Sequence, residues 1–288
     1  MMDAPPTVSF ENDDVDSVER IREKLRREGA VILKGYDIAD VEDFSAMTDR
    51  IFGRRRFSYA GGASPRRSLR AEIYNSTEYP SDLTLMLHNE LSYSSRYPSY
   101  VCFACFETAG EGGETTLGSS QNILSRIDPD VADEFRQKKV CYIRRLPAQG
   151  MYSWRAAFQT SEREEVEKIC RTAGANLLWA NNDTIEIREG RGATTVHPET
   201  RREVWFNQAA HFHPLGINAD AEATRLNCTF GNGGAIPDDY IAHIRQVLIE
   251  EAYQHKWERG EMIILDNRLV AHGRMPFKGG RRITVTLI

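Results

Sequence analysis

The stretch that decides the fold is Leu85-Met86-Leu87-His88-Asn89-Glu90-Leu91, in which an apolar run leads directly into a histidine and a carboxylate. In an extended chain, side chains at positions i and i+2 point to the same face. The sequence therefore predicts a strand from Met86 to Leu91 that presents His88 and Glu90 to one cation.

A second imidazole lies far downstream, in the segment Ala271-His272-Gly273-Arg274. Two histidines and one carboxylate form the facial triad that holds a catalytic iron(II) and leaves coordination positions open. Only a fold that returns to its own early strand can unite these side chains. We therefore expect His88, Glu90 and His272 to be the metal ligands of an oxygen-activating enzyme.

Short β-prone segments dominate the body of the chain, with amphipathic helices between them. Strands are predicted at 30–33, 100–106, 140–144, 184–188, 203–206, 261–266 and 282–288, and helices at 16–27, 41–52, 120–126, from Asp128-Pro129 onward, 161–172 and 238–253. This pattern favours a mainly β fold with flanking helices (α+β), a double-stranded β-helix or jelly roll. We expect residues 1–14 to be a flexible segment and residues 15–288 a single domain with helical insertions.

Composition narrows the class of partner. A formal net charge of -5 gives no electrostatic reason to expect nucleic acid. No apolar run approaches the roughly 20 residues that a membrane span needs, and the start of the chain lacks the features of a secretion signal. We expect a cytoplasmic protein with a small-molecule substrate; the oligomeric state stays open.

The five cysteines form no metal-binding or disulfide pattern. Cys102 and Cys105 resemble half of a zinc site, but no second pair exists. On a strand the two thiols would face opposite sides, so we expect buried thiols in a core strand.

The last predicted strand begins with two arginines, one of which could bind an anion. Alternation from Arg282 places Arg282, Thr284 and Thr286 on one face, while Arg281 is expected to be exposed. An arginine that faces inwards needs an anion, because an unpaired buried guanidinium is costly. A dicarboxylate cosubstrate fits this requirement, and a structural salt bridge or simple exposure is the alternative.

Several motifs in one order resemble the taurine-dioxygenase-like iron(II)/2-oxoglutarate oxygenases, and within them the subgroup of the syringomycin-pathway aspartyl hydroxylase and the dapdiamide-pathway epoxidase. The resemblance runs from about Gly29 to Ile288. It rests on the residues 64–66, 76–80, 87–93, Gly112-Gly113-Glu114-Thr115-Thr116, 196–198, 204–208 and the His272 segment.

The resemblance implies that His88, Glu90 and His272 bind iron(II), and that Thr115 and Arg282 bind the distal carboxylate of 2-oxoglutarate. Iron(II) would then work with 2-oxoglutarate and O2 as cosubstrates. Arg274 could reach a substrate carboxylate, Asn207 could contact the substrate or the cosubstrate, and Asn75 could line the mouth of the pocket.

Other polar residues around these motifs leave alternatives open. Asp266 and Asn267 either orient His272 or form a turn at a strand end. Arg66, Arg67 and Arg70 either bind an acidic substrate or lie in a solvated loop, which is the safer interpretation.

The remaining histidines offer a competing motif. His211 and His213 are two residues apart but have no carboxylate at ligand spacing, so we expect structural packing near the site. His197, His243 and His255 are expected at the surface or on helices.

The function predicted from the sequence is hydroxylation, desaturation, epoxidation or cyclisation at an aliphatic carbon of an amino acid or an amino-acid-derived intermediate, free or carrier-bound, in specialised metabolism. A zinc hydrolase on the same ligands is one alternative. A catalytically silent jelly-roll binding domain is the other.

Overall fold

The computed structural model describes residues 1–9, 15–36, 38–59, 61–63, 66, 68–70, 72–76, 79–216 and 225–288. The strands are β1 (Thr7–Ser9), β2 (Ala30–Lys34), β3 (Ser68–Arg70), β4 (Ile73–Asn75), β5 (Leu85–His88), β6 (Tyr100–Glu107), β7 (Glu111–Gly112), β8 (Thr115–Ser119), β9 (Val140–Leu146), β10 (Asn176–Trp179), β11 (Ile185–Arg191), β12 (Thr194–Val196), β13 (Glu203–Trp205), β14 (Leu226–Phe230), β15 (Tyr253–His255), β16 (Met262–Asp266), β17 (Val270–Arg274), β18 (Phe277–Lys278) and β19 (Arg282–Leu287).

Two sheets build the centre of the molecule. The larger has the order β1-β2-β16-β6-β19-β4-β3, and the smaller has the order β15-β8-β17-β5. Phe103 and Val285 from the larger sheet share one apolar core with Leu117 and Ala271 from the smaller sheet. In this double-sheet arrangement the late strands β17 and β19 pair with the early strands β5 and β4, which confirms the predicted jelly-roll class. A further sheet, β10-β11-β9-β14, lies in the insertion.

Helices flank this frame. They are α1 (Val15–Glu28), α2 (Val41–Phe52), α3 (Ser120–Arg126), α4 (Pro129–Lys138), α5 (Trp154–Phe158), α6 (Arg163–Thr172), α7 (Ala209–Phe212) and α8 (Asp238–Glu251). Ile21 and Leu25 of α1 and Phe44 and Ile51 of α2 pack on the outer face of the larger sheet. The strands beneath them are therefore buried on both faces, which explains their continuous apolar runs. Of the helices in the described ranges, none combines the length and the apolarity that crossing a bilayer requires.

The cysteine prediction is confirmed. Cys102 packs in the core under α1 and α2, whereas Cys105 packs in the core between the two sheets. Both are free and buried. Burial raises the pKa of Cys105 to about 11, so this thiol stays protonated at neutral pH and acts as a small apolar residue.

Several predicted element boundaries are confirmed. Helices α2 and α3 have the predicted bounds, and α4 begins at Pro129 with the Asp128 side chain accepting from the Asp130 backbone N–H. Helix α8 ends earlier than predicted, at Glu251. The chain after it becomes β15, which pairs with β8 and completes the smaller sheet.

Part of the N-terminal segment, predicted as a flexible stretch over residues 1–14, forms a strand. Strand β1 pairs in parallel with β2, with Thr7 opposite Ile32 and Ser9 opposite Lys34. Residues 10–14 lie outside the described ranges. The sequence analysis did not predict β1, because backbone pairing at the edge of a sheet leaves no periodic pattern of side chains.

Candidate metal centre and its two cavities

His88 and His272 are direct partners across two strands of the smaller sheet. Strand β5 forms the edge, and its antiparallel pairing with β17 places the two histidines opposite each other, with ring centroids 4.5 Å apart. Gly273 permits this close approach, because a Cβ there would collide with the Leu85 carbonyl oxygen and lie 2.6 Å from Thr116 Oγ1. The strand pairing itself therefore builds half of the site.

Glu90 reaches the same point by a different route from the one predicted. Strand β5 ends at His88, and the chain turns, with Leu91 at a φ of 54°. The predicted strand as far as Leu91 is therefore wrong. Glu90 Oε2 lies 3.6 Å from His272 Nε2, and one donor atom from each of the three residues lies within 4.8 Å of the others.

The turn is held by Asn267. Asn267 Oδ1 accepts from the Glu90 backbone N–H at 2.7 Å, and Asn267 Nδ2 donates to the Glu90 carbonyl oxygen at 2.9 Å. The same Nδ2 donates to the Pro98 carbonyl oxygen at 2.9 Å. Asp266 accepts from the backbone of Arg268 and contacts His197. Of the two alternatives that the sequence left open, the turn at the strand end is therefore the one observed. Asn267 orients Glu90, and His272 Nδ1 has no hydrogen-bond partner among the described residues.

The tautomer of His88 suits a metal ligand. Its Nδ1 lies 2.9 Å from the Met86 carbonyl oxygen, and a carbonyl can only accept, so Nδ1 carries the proton. Nε2 then keeps a lone pair, as second-sphere hydrogen bonds to metal-bound histidines commonly arrange. Burial, followed by the neighbouring His272 and His211, lowers the pKa of His88 well below its ordinary value, which keeps the ring neutral.

Glu90 is ionised because of a buried arginine. Burial alone would raise its pKa, but the Arg66 guanidinium and His272 outweigh that effect and lower the pKa of Glu90 to about 2. Arg66 Nη2 lies 2.7 Å from Glu90 Oε2, and the guanidinium carbon lies 4.3 Å from the centre of the Tyr59 ring.

Arg66 is thus a residue of the site. The interpretation preferred from the sequence, an arginine in a solvated loop, is wrong. Its side chain is only 6% exposed. Arg70, in contrast, is exposed and pairs with Glu42, and Arg67 lies outside the described residues. A loop has no hydrophobic periodicity, so the sequence could not show which of its arginines is buried and which is exposed.

Two cavities meet at the triad, and Arg66 and His88 line both. The larger has a mixed polar and aromatic lining that includes Tyr59, Tyr79, Tyr93, Gln208, His211 and Phe212. The smaller is also lined by Ser76, Phe103, Thr115, Arg274 and Arg281. We label the larger the substrate cavity and the smaller the cosubstrate cavity, after the roles that the resemblance noted in the sequence implies.

His211 packs near the site, as the sequence analysis expected. Its Nε2 lies 3.1 Å from the Met86 carbonyl oxygen, the acceptor that His88 also uses, and its ring lies 5.3 Å from that of His88. Burial lowers the pKa of His211 to about 4. His213 turns elsewhere, towards the Ile236 carbonyl oxygen at 3.2 Å, so the two histidines do not share a cation.

Arg281 and Arg282 exchange the places that the sequence predicted. Arg282 is exposed and lies over Phe106, 5.2 Å from the ring centre. Arg281 lies in the cosubstrate cavity, where burial, with a contribution from Arg274, lowers its pKa to about 10. The alternation itself holds, but the face that lines this cavity is the face of Arg281 and Ile283 and not that of Arg282.

Thr115 lies in the cosubstrate cavity, beside Arg281. The preceding glycines, Gly112 and Gly113, have positive φ angles of 66° and 78°, which glycine adopts without strain. This turn leads directly into β8, whose first residue is Thr115. Thr115 Oγ1 accepts from Trp257 Nε1 at 2.8 Å and lies 3.5 Å from Arg281 Nη2.

Three residues were predicted to contact the substrate, and the structure shows each of them bonded or paired within the protein. Arg274 lines the cosubstrate cavity, but its Nη2 donates to the carbonyl oxygens of Pro80 and Leu83. Asn207 is buried, donates to the Ala193 carbonyl oxygen and accepts from the Ala209 backbone N–H. Asn75 is half-buried in β4, opposite Thr284. Hydrogen bonds within the protein account for the positions of Arg274 and Asn207, and the substrate role of all three residues stays a prediction.

Two histidines predicted at the surface are buried instead. His197 contacts Asp266 at 3.0 Å, and His255 contacts Glu261 at 3.0 Å. Each imidazole has a carboxylate that satisfies it, which is how polar groups are tolerated in a core. His243 lies on α8 and accepts from the Asp128 backbone N–H, in agreement with the prediction of a helix histidine.

Comparisons with known proteins point to one family. The description "Taurine catabolism dioxygenase TauD, TfdA family" matches residues 3–287. The dapdiamide synthesis protein DdaC of Enterobacter agglomerans is 32% identical over 286 residues, covering 96% of this chain and 87% of that protein. A clavaminate synthase-like protein of Arabidopsis thaliana is 28% identical over 273 residues, covering 91% and 82%. The structure of a taurine dioxygenase from Burkholderia xenovorans matches with a TM-score of 0.56 at 13% identity, covering 100% of this chain and 87% of that one, and so shares the fold.

Proposed function

The chain belongs to the taurine catabolism dioxygenase TauD/TfdA family, and on that premise we propose that it is an iron(II)- and 2-oxoglutarate-dependent oxygenase that oxidises an aliphatic carbon of an amino acid or an amino-acid-derived intermediate. One observation carries this proposal. His88, Glu90 and His272 converge where two cavities meet, so a bound ion would face both a cosubstrate and a substrate.

The three side chains fit iron(II). They offer two imidazoles and an ionised carboxylate from one side, the donor set that leaves positions open on non-heme iron. Iron(II) held there would supply the redox chemistry that couples decarboxylation of 2-oxoglutarate to oxidation of a substrate C–H bond. The protein's own contribution is to keep His88 neutral and Glu90 ionised, and to fix the Glu90 turn through Asn267.

For the cosubstrate, the proposal places the distal carboxylate of 2-oxoglutarate against Arg281 and Thr115. Arg281 is a largely buried cation for which the described residues provide a carbonyl and a hydroxyl but no carboxylate at ion-pair distance. Such a cation favours an anionic ligand, because its burial is otherwise uncompensated. In this proposal Arg281 has the role that was predicted for Arg282. A zinc hydrolase would not need the Arg281–Thr115 pair, which argues against that alternative.

For the substrate, the proposal rests on polar groups around the larger cavity. Arg66 Nη1 is buried and has no hydrogen-bond partner among the described residues. Arg66 otherwise neutralises Glu90, so a further acceptor is required to satisfy this nitrogen. A substrate carboxylate is such an acceptor, and Gln208 and His211 supply neutral polar groups in the same cavity. An amino acid, free or joined to a carrier through another group, fits this lining.

The similarity to a dapdiamide synthesis protein supports a place in specialised metabolism. The test is a screen of amino acids and their derivatives with the iron-loaded protein and 2-oxoglutarate, measuring succinate release and resolving the organic product by mass. The proposal is supported by a compound that stimulates succinate formation and whose product has gained an oxygen atom or lost hydrogen atoms. Succinate formation that no amino acid or derivative stimulates would contradict the substrate class.

A further inference from the structure

Trp257 lies directly behind the residue proposed to bind 2-oxoglutarate. It follows β15, whose His255 is the pairing partner of Thr115 in β8. The indole is buried, and Nε1 donates to Thr115 Oγ1 at 2.8 Å. An indole N–H can only donate, so the threonine oxygen must be the acceptor in this contact.

The second lone pair of that oxygen also faces a donor, because Arg281 Nη2 lies 3.5 Å away. A hydroxyl has two lone pairs and one hydrogen. With donors on both lone pairs, Thr115 can take part in a further hydrogen bond only by donating. Among the described residues none accepts that hydrogen, although the side chain is only 4% exposed.

We propose that Trp257 is a positioning residue that makes Thr115 an obligate donor to the distal carboxylate of 2-oxoglutarate; the inference rests on the proposed function. Without the indole N–H, the hydroxyl would rotate and could accept from Arg281 alone. The donor that the carboxylate needs would then be lost for part of the time.

The surroundings of Trp257 keep the indole in place. Its ring stands edge-on to the His255 ring, with centroids 5.1 Å apart and planes at 86°. His255 Nε2 lies 3.0 Å from Glu261 Oε2, and Glu261 Oε1 lies 2.6 Å from Lys34 Nζ. This chain of contacts, buried except at Lys34, fixes the direction of the N–H before any ligand arrives, which is what preorganisation of a binding group requires.

The test compares the dissociation constant for 2-oxoglutarate in Trp257→Phe and in Trp154→Phe, by anaerobic titration of the iron(II)-loaded proteins and by the shift in Tm that 2-oxoglutarate produces. Trp154 is a matched control, since its Nε1 also donates to an oxygen, the backbone carbonyl oxygen of Asp183, in a different core. We expect the constant to rise about 3- to 10-fold in Trp257→Phe, the loss of one neutral hydrogen bond, and to stay unchanged in Trp154→Phe.

A double-mutant cycle separates positioning from general support of the fold. In a Thr115→Val background, Trp257→Phe should cause no further loss of affinity. An equal loss in both backgrounds, or no loss in Trp257→Phe alone, would overturn the inference while leaving the proposed function intact. Trp257→Tyr serves as a second variant without the indole N–H should the phenylalanine variant fail to fold. A wild-type protein that binds no 2-oxoglutarate would overturn the proposed function as well.

Discussion

The side-chain amide of Asn267 pairs with the backbone of Glu90 at both ends, accepting from its N–H at 2.7 Å and donating to its carbonyl oxygen at 2.9 Å. This pairing replaces the strand that would otherwise have continued from His88. Because Asn267 also follows β16 of the larger sheet, it ties the carboxylate of the site to the central frame of the fold.

Asn267→Ala should therefore weaken metal binding. Loss of a group that orients a metal ligand typically costs 10- to 100-fold in affinity, and we expect a loss in that range, measured by iron(II) titration under anaerobic conditions. The matched control is Asn207→Ala, since Asn207 is also buried and also bonded at both ends of its amide. Asn207→Ala should lower the free energy of unfolding and leave metal affinity intact. Equal metal affinity in the two variants would argue against the role of Asn267.

The exchange of Arg281 and Arg282 gives a test on adjacent residues. Arg281→Gln should raise the dissociation constant for 2-oxoglutarate about 10- to 100-fold, the loss of charge-assisted hydrogen bonds in a buried site. Arg282→Gln should leave it unchanged, because Arg282 is exposed. Titration of both variants with 2-oxoglutarate decides between them. A large effect of Arg282→Gln alone would restore the assignment that the sequence analysis made.

Gly273→Ala tests the close strand approach at the metal centre. The added methyl group would meet the Leu85 carbonyl and Thr116 Oγ1, so the variant should be destabilised by about 1–3 kcal/mol through overpacking and should lose metal affinity. Gly190→Ala, in β11, is the control, as nothing lies within 4 Å of its added Cβ. Urea unfolding of both variants measures the difference, and equal stabilities would refute the steric argument.

Arg66→Gln tests the buried ion pair. Removing one partner of a buried pair costs about 3–5 kcal/mol, because the other charge is left uncompensated. A divalent cation on Glu90 would supply that compensation. We therefore expect a large loss in the free energy of unfolding without metal and a smaller loss with iron(II) or Mn(II). Arg56→Gln breaks the pair with Asp49 away from the site. Its loss in the free energy of unfolding should be equal with and without the metal ion. An Arg66→Gln loss that metal does not reduce would count against Glu90 as a ligand.

The sequence predicted the family and the fold class, and both are confirmed. Residues carried by a motif were also placed well: His88, Glu90 and His272 converge, and Thr115 lies in a cavity beside them. The ligand and cosubstrate roles stay predictions until they are measured.

What the sequence could not predict depends on contacts between distant segments. Alternation puts Arg281 and Arg282 on opposite faces, but it does not show which face lines the cavity, because residues 283–287 are buried on both faces of this strand. Arg66 lies in a loop, and its burial follows from Glu90, a partner in another segment. His197 is buried because Asp266 satisfies it, so its environment depends on a residue far along the chain.

The central claim is that His88, Glu90 and His272 bind one iron(II) that 2-oxoglutarate then chelates. The most direct measurement is anaerobic addition of iron(II) and 2-oxoglutarate to the wild-type protein, to His88→Ala and, as a control, to His243→Ala. We predict a weak visible charge-transfer band in the wild type and in His243→Ala that is absent in His88→Ala. A wild type without the band, or a His88→Ala variant with the band at full intensity, would contradict the account.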